Sequence, residues 1–309
     1  MGDAIFSFMK PNFHSTVASA RIASFLGEVL NLPIYHNADI KNVKADRLII
    51  VNGAFAFCSC LEELAVAIFA AKHIVWVQND YNIFIPKNDN NATSPFRVAF
   101  RKRVQKGKSR NIVWSTVEKL ADTYINWNSL TYEPLPEDEV LALKKKAPKD
   151  LFYYGAFRTG RVKAFTRYFI DCPLPVTIST TTYKFGARYT DATIVPGMKR
   201  DAFYQGLCAH GLGLYLEDEK SHREFHSPAN RFYEMLSAGL PMVFQPEATP
   251  MMEKAGYDIR KYVINDPADL VSFMRKREQA RKEQAALWGR DYRKELTKVI
   301  KKAYKGLPT

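Results

Sequence analysis

The chain has 309 residues, of which 47% are hydrophobic and 25% are charged. It can form two domains of about 150 residues, and its composition excludes the disordered and fibrous classes. The net charge of +13 is unusual for a globular protein and indicates an acidic partner. The four cysteines lack the spacing of zinc ligands, and no signal peptide or membrane span is visible. We therefore expect a cytoplasmic protein.

The positive charge is concentrated in two segments. Residues 97–110 contain seven Lys or Arg and no Asp or Glu, whereas residues 275–309 contain twelve Lys or Arg and four Asp or Glu. Two basic segments in an otherwise nearly neutral chain indicate a polyanionic partner and are not explained by a general need for solubility. The basic residues of the first segment are Arg97, Arg101, Lys102, Arg103, Lys106, Lys108 and Arg110.

Apolar strands alternate with amphipathic helices in the first 126 residues. This alternation predicts a parallel sheet covered by helices on both faces. Ligands bind such sheets beyond the carboxyl ends of the strands, so side chains that follow a strand are candidates for function. The predicted strands are 5–9, 47–52, 73–78, 111–115 and 122–126, and the predicted helices are 16–30 and 61–71.

A charged, proline-rich stretch at 133–150 is typical of a domain linker, and a second alternation begins at residue 151. We predict later strands at 176–179, 212–216 and 242–244, followed by a basic helical segment. The predicted domains are 1–140, 151–270 and a C-terminal segment, 271–309, that packs back on the first domain.

One helix-to-strand stretch, residues 227–244, suits nucleotide binding. Ser227 is a candidate N-cap, Pro228 suits the first helical position, and Gly239 lies where the helix should end. Arg231 and Glu234 are three residues apart, so they project from the same side of the first turn. An arginine there suits a pyrophosphate and a carboxylate suits a ribose diol. The alternative is an ion pair within the helix.

A second motif, Tyr154-Gly155-Ala156-Phe157-Arg158-Thr159-Gly160-Arg161, follows the first strand of the second alternation. Glycines let backbone N–H groups approach a phosphate, and two arginines can clamp it. The alternative is a surface turn with solvated arginines. A helix should begin near Val162.

These two motifs, together with the strand entry at 46–52, resemble the phage T4-type DNA β-glucosyltransferases. Those enzymes transfer glucose from UDP-glucose to 5-hydroxymethylcytosine in duplex DNA. The resemblance runs through most of the chain in order and spacing. It implies an α/β protein with the GT-B glycosyltransferase fold, in which two Rossmann-like domains have a cleft between them.

The resemblance also implies roles for individual residues. Arg158 and Arg231 would contact the donor's diphosphate, and Glu234 would contact the ribose hydroxyls. Asp80, just after the strand at 73–78, matches the general base that deprotonates the acceptor hydroxymethyl group. Without the resemblance, Asp80 is read as a turn carboxylate in Asn79-Asp80-Tyr81-Asn82. The loop residues of the donor site are Gly155, Ala156, Arg158 and Arg161.

Two positions depart from the family's pattern. The family's second loop arginine matches Val162, and we expect Arg161, one residue earlier, to substitute for it. Arg21 stands where the family has an acidic residue near the donor sugar, so glucose, another hexose and a pentose such as arabinose stay open as donors. His14, in the loop after the first strand, is either a cleft residue or a structural one.

The expected partners are a UDP-sugar and double-stranded DNA that contains hydroxymethylated cytosine, bare or already glycosylated. A base must be flipped out of the duplex to reach a cleft, and the basic segment 97–110 would hold the backbone phosphates during flipping. Phe96 and Phe100 would either fill the gap or anchor the loop. We expect a monomer with no membrane contact, in the cytoplasm of an infected bacterial host.

Two other function classes stay open at this stage. One is a glycosyltransferase that acts on lipopolysaccharide or another acidic glycan, and the other is a nucleic-acid-binding protein on a degenerate glycosyltransferase scaffold. No Asp-x-Asp pair stands out, so we assign no metal ligands. Any need for Mg²⁺ or Mn²⁺ rests on the family likeness and on the donor's diphosphate.

Overall fold

The computed structural model describes residues 2–8, 10–12, 18–51, 61–78, 110–182, 184–198, 202–218 and 227–308. The chain divides into two compact units. Unit 1 comprises Met1–Leu130 and Asp291–Thr309, and unit 2 comprises Thr131–Arg290. The linker-like stretch 133–150 lies within unit 2, and the basic segment 271–309 is shared between the two units.

Unit 1 is built on a six-stranded sheet whose pairs are all parallel, as the alternation of strands and helices predicts. The strand order across the sheet is β2-β1-β3-β4-β5-β6. The central strands are continuous apolar runs because both faces of the sheet are covered. The strands are β1 (Ala4–Ser7), β2 (Ile34–His36), β3 (Arg47–Val51), β4 (His73–Gln78), β5 (Arg110–Ser115) and β6 (Thr123–Tyr124).

Helix α1 (Ala18–Leu30) packs on one face of this sheet and helix α2 (Leu61–Ala70) contributes to the core on the other. Alternate side chains of β3 and β4 therefore enter different cores. Ile50 and Trp76 belong to one core, and Ile49 and Val75 belong to the other.

Unit 2 has a five-stranded parallel sheet with the order β11-β10-β7-β8-β9. The chain moves outward from β7 to β9 and then returns to place β10 on the other side of β7. The order therefore reverses between β7 and β10, which makes a topological switch point. The strands are β7 (Leu151–Tyr154), β8 (Val176–Ser179), β9 (Thr193–Val195), β10 (Leu212–Tyr215) and β11 (Met242–Phe244).

The helices among the described residues of unit 2 contain 6–12 residues each. They are α3 (Glu137–Lys144), α4 (Val162–Phe169), α5 (Phe203–Cys208), α6 (Asn230–Ser237), α7 (Thr249–Lys254), α8 (Asp269–Arg275) and α9 (Arg277–Trp288). Helix α4 begins at Val162, where the sequence predicts a helix to start. Among the described residues, no helix is both long enough and apolar enough to cross a bilayer.

The start of α6 differs from the prediction. Ser227 is not its N-cap and Pro228 is not its first residue, because α6 begins at Asn230 with Ala229 in the capping position. The Ala229 N–H donates to the Tyr215 hydroxyl at 3.0 Å, and Ala229 keeps an extended backbone. This tie to β10 delays the first helical turn. The predicted end is confirmed, because Gly239 has φ +59° just after the helix.

The last helix, α10 (Tyr292–Lys305), belongs to unit 1. Leu296 and Ile300 are buried in the core that α1 covers, together with Leu307 after the helix. Arg293 pairs with Glu28 of α1. At its other end, Tyr304 donates to Asp3, which also forms an ion pair with Arg47 at the start of β3. The final residues thus complete the core of unit 1.

Candidate functional site

The carboxyl ends of β7 and β10 lie side by side at the switch point of unit 2, which is where open α/β sheets bind ligands. The turn after β7 starts at Gly155, and the segment after β10 contains Glu217 and Asp218. Residues 155–161, the segment after β10 and the first turn of α6 are therefore the elements that form the candidate site.

Gly155 is a position that requires glycine. Its φ is +134°, a conformation that side chains with a Cβ rarely adopt, and its N–H donates to the Ser179 carbonyl at 3.0 Å. A Cβ there would lie 3.1 Å from Arg231 Nη2. Ala156, the next residue, is exposed in the turn. The predicted loop and the predicted helix arginine are thus close neighbours, with no room for a side chain between them.

Arg231 is held on several sides. Its Nη1 donates to the Leu216 carbonyl at 3.0 Å, and its Nε lies 3.1 Å from Glu217 Oε1. Its guanidinium carbon lies 4.9 Å from the ring centre of Tyr153 and 5.6 Å from that of Tyr154. Burial alone would lower the pKa of Arg231, but the Glu217 carboxylate together with Tyr153 and Tyr154 outweighs it and raises the pKa, so Arg231 keeps its charge.

Arg161 lies deeper in the site than Arg158. Arg161 is only 3% exposed, and its Nη1 donates to the Tyr153 hydroxyl at 3.0 Å while its Nη2 donates to Glu217 Oε2. The Arg158 side chain is 62% exposed, and its Nη1 lies 4.0 Å from Asp218 Oδ2. Asp218 also lies 3.6 Å from the Nε of Arg161. Arg158 is therefore the loop arginine that solvent can reach.

Glu234 accepts a hydrogen bond of 2.6 Å from the Tyr154 hydroxyl. Burial, followed by the Glu234 carboxylate, raises the pKa of Tyr154 well above its ordinary value, so the hydroxyl stays protonated and acts as donor. Glu234 does not pair with Arg231, which faces Glu217 instead. A carboxylate can accept from a diol as well as from this hydroxyl, because its two oxygens offer about four lone-pair sites.

The arrangement suits an anion that is bound beside Gly155. Arg231 presents Nη2 to the turn, and Arg158 extends into solvent. The free N–H groups in the first turn of α6 form the positive end of the helix dipole, which favours an anion. Glu234, one turn further along α6, suits a hydroxyl-bearing group attached to that anion. A phosphorylated ribose combines these two chemistries.

Two of these side chains were missed by the sequence analysis. Glu217 is 6% exposed and lies between Arg161 and Arg231, and Asp218 faces Arg158 and Arg161. The available signal was their position directly after the predicted strand at 212–216, where side chains are candidates for function.

Several predicted residues lie outside the described part of the chain. They are Asp80, His14, Phe96, Phe100 and the basic residues Arg97, Arg101, Lys102, Arg103, Lys106 and Lys108. Arg110 is the first residue of β5, although its side chain is not described. Arg21 lies on α1 and is 8% exposed.

The described part of the basic C-terminal segment shows how its charge is arranged. Lys294, Lys298, Lys301 and Lys305 of α10 follow one another at intervals of four, three and four residues, so they share one face, and all four are exposed. Leu296 and Ile300 occupy the buried face. We refer to these four residues as the lysine face.

Comparisons with known proteins identify the fold. No protein-family model matches the chain, and no curated protein matches it by sequence. Among solved structures, phage T4 β-glucosyltransferase in complex with UDP-glucose has a TM-score of 0.67 and 15% identity over 99% of this chain and 98% of that one. The T4 enzyme with UDP and Mn²⁺ has a TM-score of 0.65 and 17% identity over 98% and 99% of the two chains.

An α-glucosyltransferase in complex with UDP and a 13-mer DNA is a more distant match. Its TM-score is 0.55 and its identity 11%, over 97% of this chain and 95% of that one. The predicted fold is confirmed: the chain has two parallel-sheet units of the GT-B glycosyltransferase class and is similar to the T4 β-glucosyltransferase structures along its whole length.

Proposed function

We propose that the protein is a DNA glycosyltransferase that uses a UDP-sugar as donor. The observation that supports this best is the close approach of Arg231 to Gly155 at the switch point of unit 2, with Glu234 on the same helix as Arg231. This arrangement can bind a diphosphate and a ribose together. The fold supports the proposal, because structures with the same architecture were solved with UDP-glucose and with UDP and DNA.

In this proposal the donor's diphosphate binds at Gly155, Ala156, Arg158 and Arg231, and the ribose hydroxyls bind Glu234. Arg231 is already oriented before the donor arrives, so little side-chain entropy is lost on binding. As the bond between the sugar and the diphosphate breaks, negative charge grows on the leaving phosphate. Fixed guanidinium groups stabilise that charge. A diphosphate also supplies the oxygen ligands that Mg²⁺ and Mn²⁺ prefer, so either ion would enter with the donor.

Asp80 is our proposed general base. The hydroxymethyl oxygen of 5-hydroxymethylcytosine, or a sugar hydroxyl of its glycosylated form, would attack the anomeric carbon of the donor sugar. The bond from that carbon to the diphosphate breaks, UDP leaves, and the hydroxyl proton passes to the Asp80 carboxylate. The support is positional: Asp80 follows β4, a central strand of unit 1, two residues after its end.

DNA would be held by the basic segment 97–110, which follows Asp80 along the chain, and by the lysine face of α10. Contacts between lysines and phosphates supply affinity without sequence information. The four exposed lysines of α10 are spread over about three helical turns, a length that covers more than one phosphate.

Transfer to DNA is the decisive measurement. The protein would be incubated with UDP-glucose, UDP-arabinose or another UDP-hexose, with and without Mn²⁺, and with duplex DNA carrying either 5-hydroxymethylcytosine or cytosine. Mass spectrometry of the digested nucleosides should show one added sugar on the hydroxymethylated base only. A protein that binds UDP yet modifies no DNA with any donor would contradict the proposal. The donor that is consumed would identify the sugar.

A further inference from the structure

We propose that Glu217 is a positioning residue of the diphosphate site, because it links the buried Arg161 to Arg231 and fixes the direction of the Arg231 guanidinium. This inference rests on the proposed function, since it assumes that Arg231 binds the donor. It concerns a residue that the sequence analysis did not select.

The two carboxylate oxygens of Glu217 serve different arginines. Oε2 accepts from Arg161 Nη2, and Oε1 lies 3.1 Å from Arg231 Nε. The Gln245 side-chain amide donates to the Glu217 carbonyl at 2.9 Å, which holds the backbone at the same place. Because Glu217 is only 6% exposed, water competes weakly for these contacts. The result is a chain of two guanidinium groups joined by one carboxylate.

Arg161 can influence a ligand only through other residues. Both of its terminal nitrogens donate to protein groups, the Tyr153 hydroxyl and Glu217, and its side chain is 3% exposed. The resemblance to the DNA β-glucosyltransferases predicts that Arg161 takes the place of that family's second diphosphate-binding arginine. Its contacts here instead support a role beneath the site, where it holds Glu217 in place.

Arg231 receives its orientation from this chain of contacts. Nη1 is engaged by the Leu216 carbonyl and Nε by Glu217, so the guanidinium plane is fixed along one edge. The remaining nitrogen, Nη2, is the one that faces Gly155. Loss of Glu217 would leave hydrogen bonds only to the neutral Leu216 carbonyl and the Tyr153 side chain, and without the charged anchor the guanidinium could turn away from the phosphate position.

A competing role predicts the opposite result. If Glu217 acted only as a counter-ion, it would reduce the positive potential at the site, and removing its charge would tighten the binding of UDP, an anion. If Glu217 positions Arg231, the same change weakens UDP binding although the site becomes more positive. The sign of the change therefore separates the two roles.

The test uses calorimetric titration of the full chain with UDP and, separately, with uridine. Glu217→Gln retains the size of the side chain but can accept from only one of the two arginines. We expect it to weaken UDP binding by about tenfold, which is less than the loss of a whole charge-assisted contact. Uridine affinity should stay unchanged, because uridine has no phosphate for Arg231 to contact. A general loss of structure would weaken both ligands.

Arg161→Met provides the second arm. It should weaken UDP binding by a similar factor, and the double variant should be no weaker than either single variant, because both changes break the same link. The matched control is Glu137→Gln, which removes a carboxylate from Arg281, another buried arginine of unit 2 at a different place. This control should bind UDP like the wild type.

The outcomes separate this inference from the proposed function. If wild type does not bind UDP, or Arg231→Ala binds it equally well, the proposed function fails. If both behave as proposed while Glu217→Gln binds UDP as tightly as the wild type or more tightly, only the positioning role is overturned. Where Glu217→Gln does not fold, Glu217→Asp replaces it, since the shorter carboxylate keeps its charge but cannot reach both arginines. The same loss of UDP affinity is expected.

Discussion

Arg231 Nη2 lies where a side chain on Gly155 would have to go, only 3.1 Å from the position of its Cβ. The two residues are 76 positions apart, and β7 and β10 bring their segments to the same edge of the sheet. The absence of a side chain at one position therefore makes room for the guanidinium at the other.

We predict that Gly155→Ala weakens UDP binding by tenfold or more. Its methyl group would displace the Arg231 guanidinium, and its φ of +134° is unfavourable for alanine. Calorimetry with UDP measures the effect. Gly256→Ala is the matched control, because Gly256 also has a positive φ, of +85°, but no atom lies within 4 Å of the added Cβ. Equal UDP affinity in the two variants would show that the Gly155 contact does not matter.

Glu234→Ala should weaken UDP binding but leave the binding of inorganic pyrophosphate nearly unchanged. The reason is that the carboxylate accepts from the Tyr154 hydroxyl, while Arg231 of the same helix pairs with Glu217. Loss of hydrogen bonds to a charged group corresponds to roughly 1.5–3 kcal/mol.

Both ligands would be titrated into the Glu234 variant and into Glu247→Ala, a variant of an exposed glutamate of the same unit. An equal loss of affinity for UDP and for pyrophosphate would show that Glu234 acts on the diphosphate and not on the ribose.

Asp80→Asn should abolish most of the turnover while both substrates still bind. Asparagine keeps the size of the side chain but cannot accept the acceptor's proton, and loss of a general base costs about 10²–10⁴ in rate. Single-turnover transfer to hydroxymethylated DNA measures the chemical step. Asp39→Asn, at an exposed position of unit 1, is the control. Turnover by Asp80→Asn at the wild-type rate would exclude Asp80 as the general base.

The basic segment should determine how steeply DNA binding depends on salt. Replacing Arg101, Lys102 and Arg103 by alanine removes three phosphate contacts. The slope of log K against log salt should flatten by about 2.7, at roughly 0.9 per contact on duplex DNA. UDP affinity should not change. The lysine face can be tested in the same assay with Lys298, Lys301 and Lys305 replaced by alanine.

Lys145, Lys146 and Lys149 provide the matched control for both triple variants, because they are exposed and lie in unit 2. Their replacement changes the net charge by the same amount. If all three triple variants flatten the slope equally, the effect reflects total charge and not a defined DNA surface.

A structural prediction concerns Asp150, which accepts from His210 Nδ1 and from the Gly211 N–H, both at 2.8 Å. Burial acts to raise the pKa of Asp150, but these hydrogen bonds and the His210 charge outweigh it and lower the pKa. A carboxylate with a lowered pKa stabilises the fold above its ordinary pKa, near 4, and this stabilisation disappears as the pH falls through the folded-state value.

Asp150→Asn should therefore lower the free energy of unfolding by about 1–3 kcal/mol at pH 7 and by progressively less below about pH 4. Urea unfolding at several pH values measures the difference. A difference that is constant down to pH 3 would show that ionisation of Asp150 does not contribute.

The sequence predicted the central strands well but only two of the four edge strands, β6 and β11. Strands β3 and β4 are largely apolar runs whose side chains are mostly buried, so composition alone marks them. Strands β2 and β9 were not predicted. Each is a three-residue edge strand with no buried residue, and such strands lack both an apolar run and a clear alternation.

The candidate site shows a similar division. Gly155 and Arg231 were predicted because glycine and arginine in these positions suggest backbone approach and phosphate contact. Glu217 was not, because the sequence shows a Leu-Glu-Asp-Glu-Lys run that reads as a solvated turn. Its importance depends on two arginines, 56 residues before it and 14 after it, that only the folded sheet brings to its two oxygens.

The return of the chain to unit 1 sets an order for folding during synthesis. Leu296, Ile300 and Leu307 complete a core whose first members, such as Ile5, are made before unit 2. Every residue of unit 2 is synthesised between these two groups. Unit 2 can therefore fold while the ribosome is still at work, whereas unit 1 exposes part of its apolar surface until the last helix emerges. A nascent chain that stops before residue 291 should consequently expose the α1 face of unit 1 to chaperones and proteases.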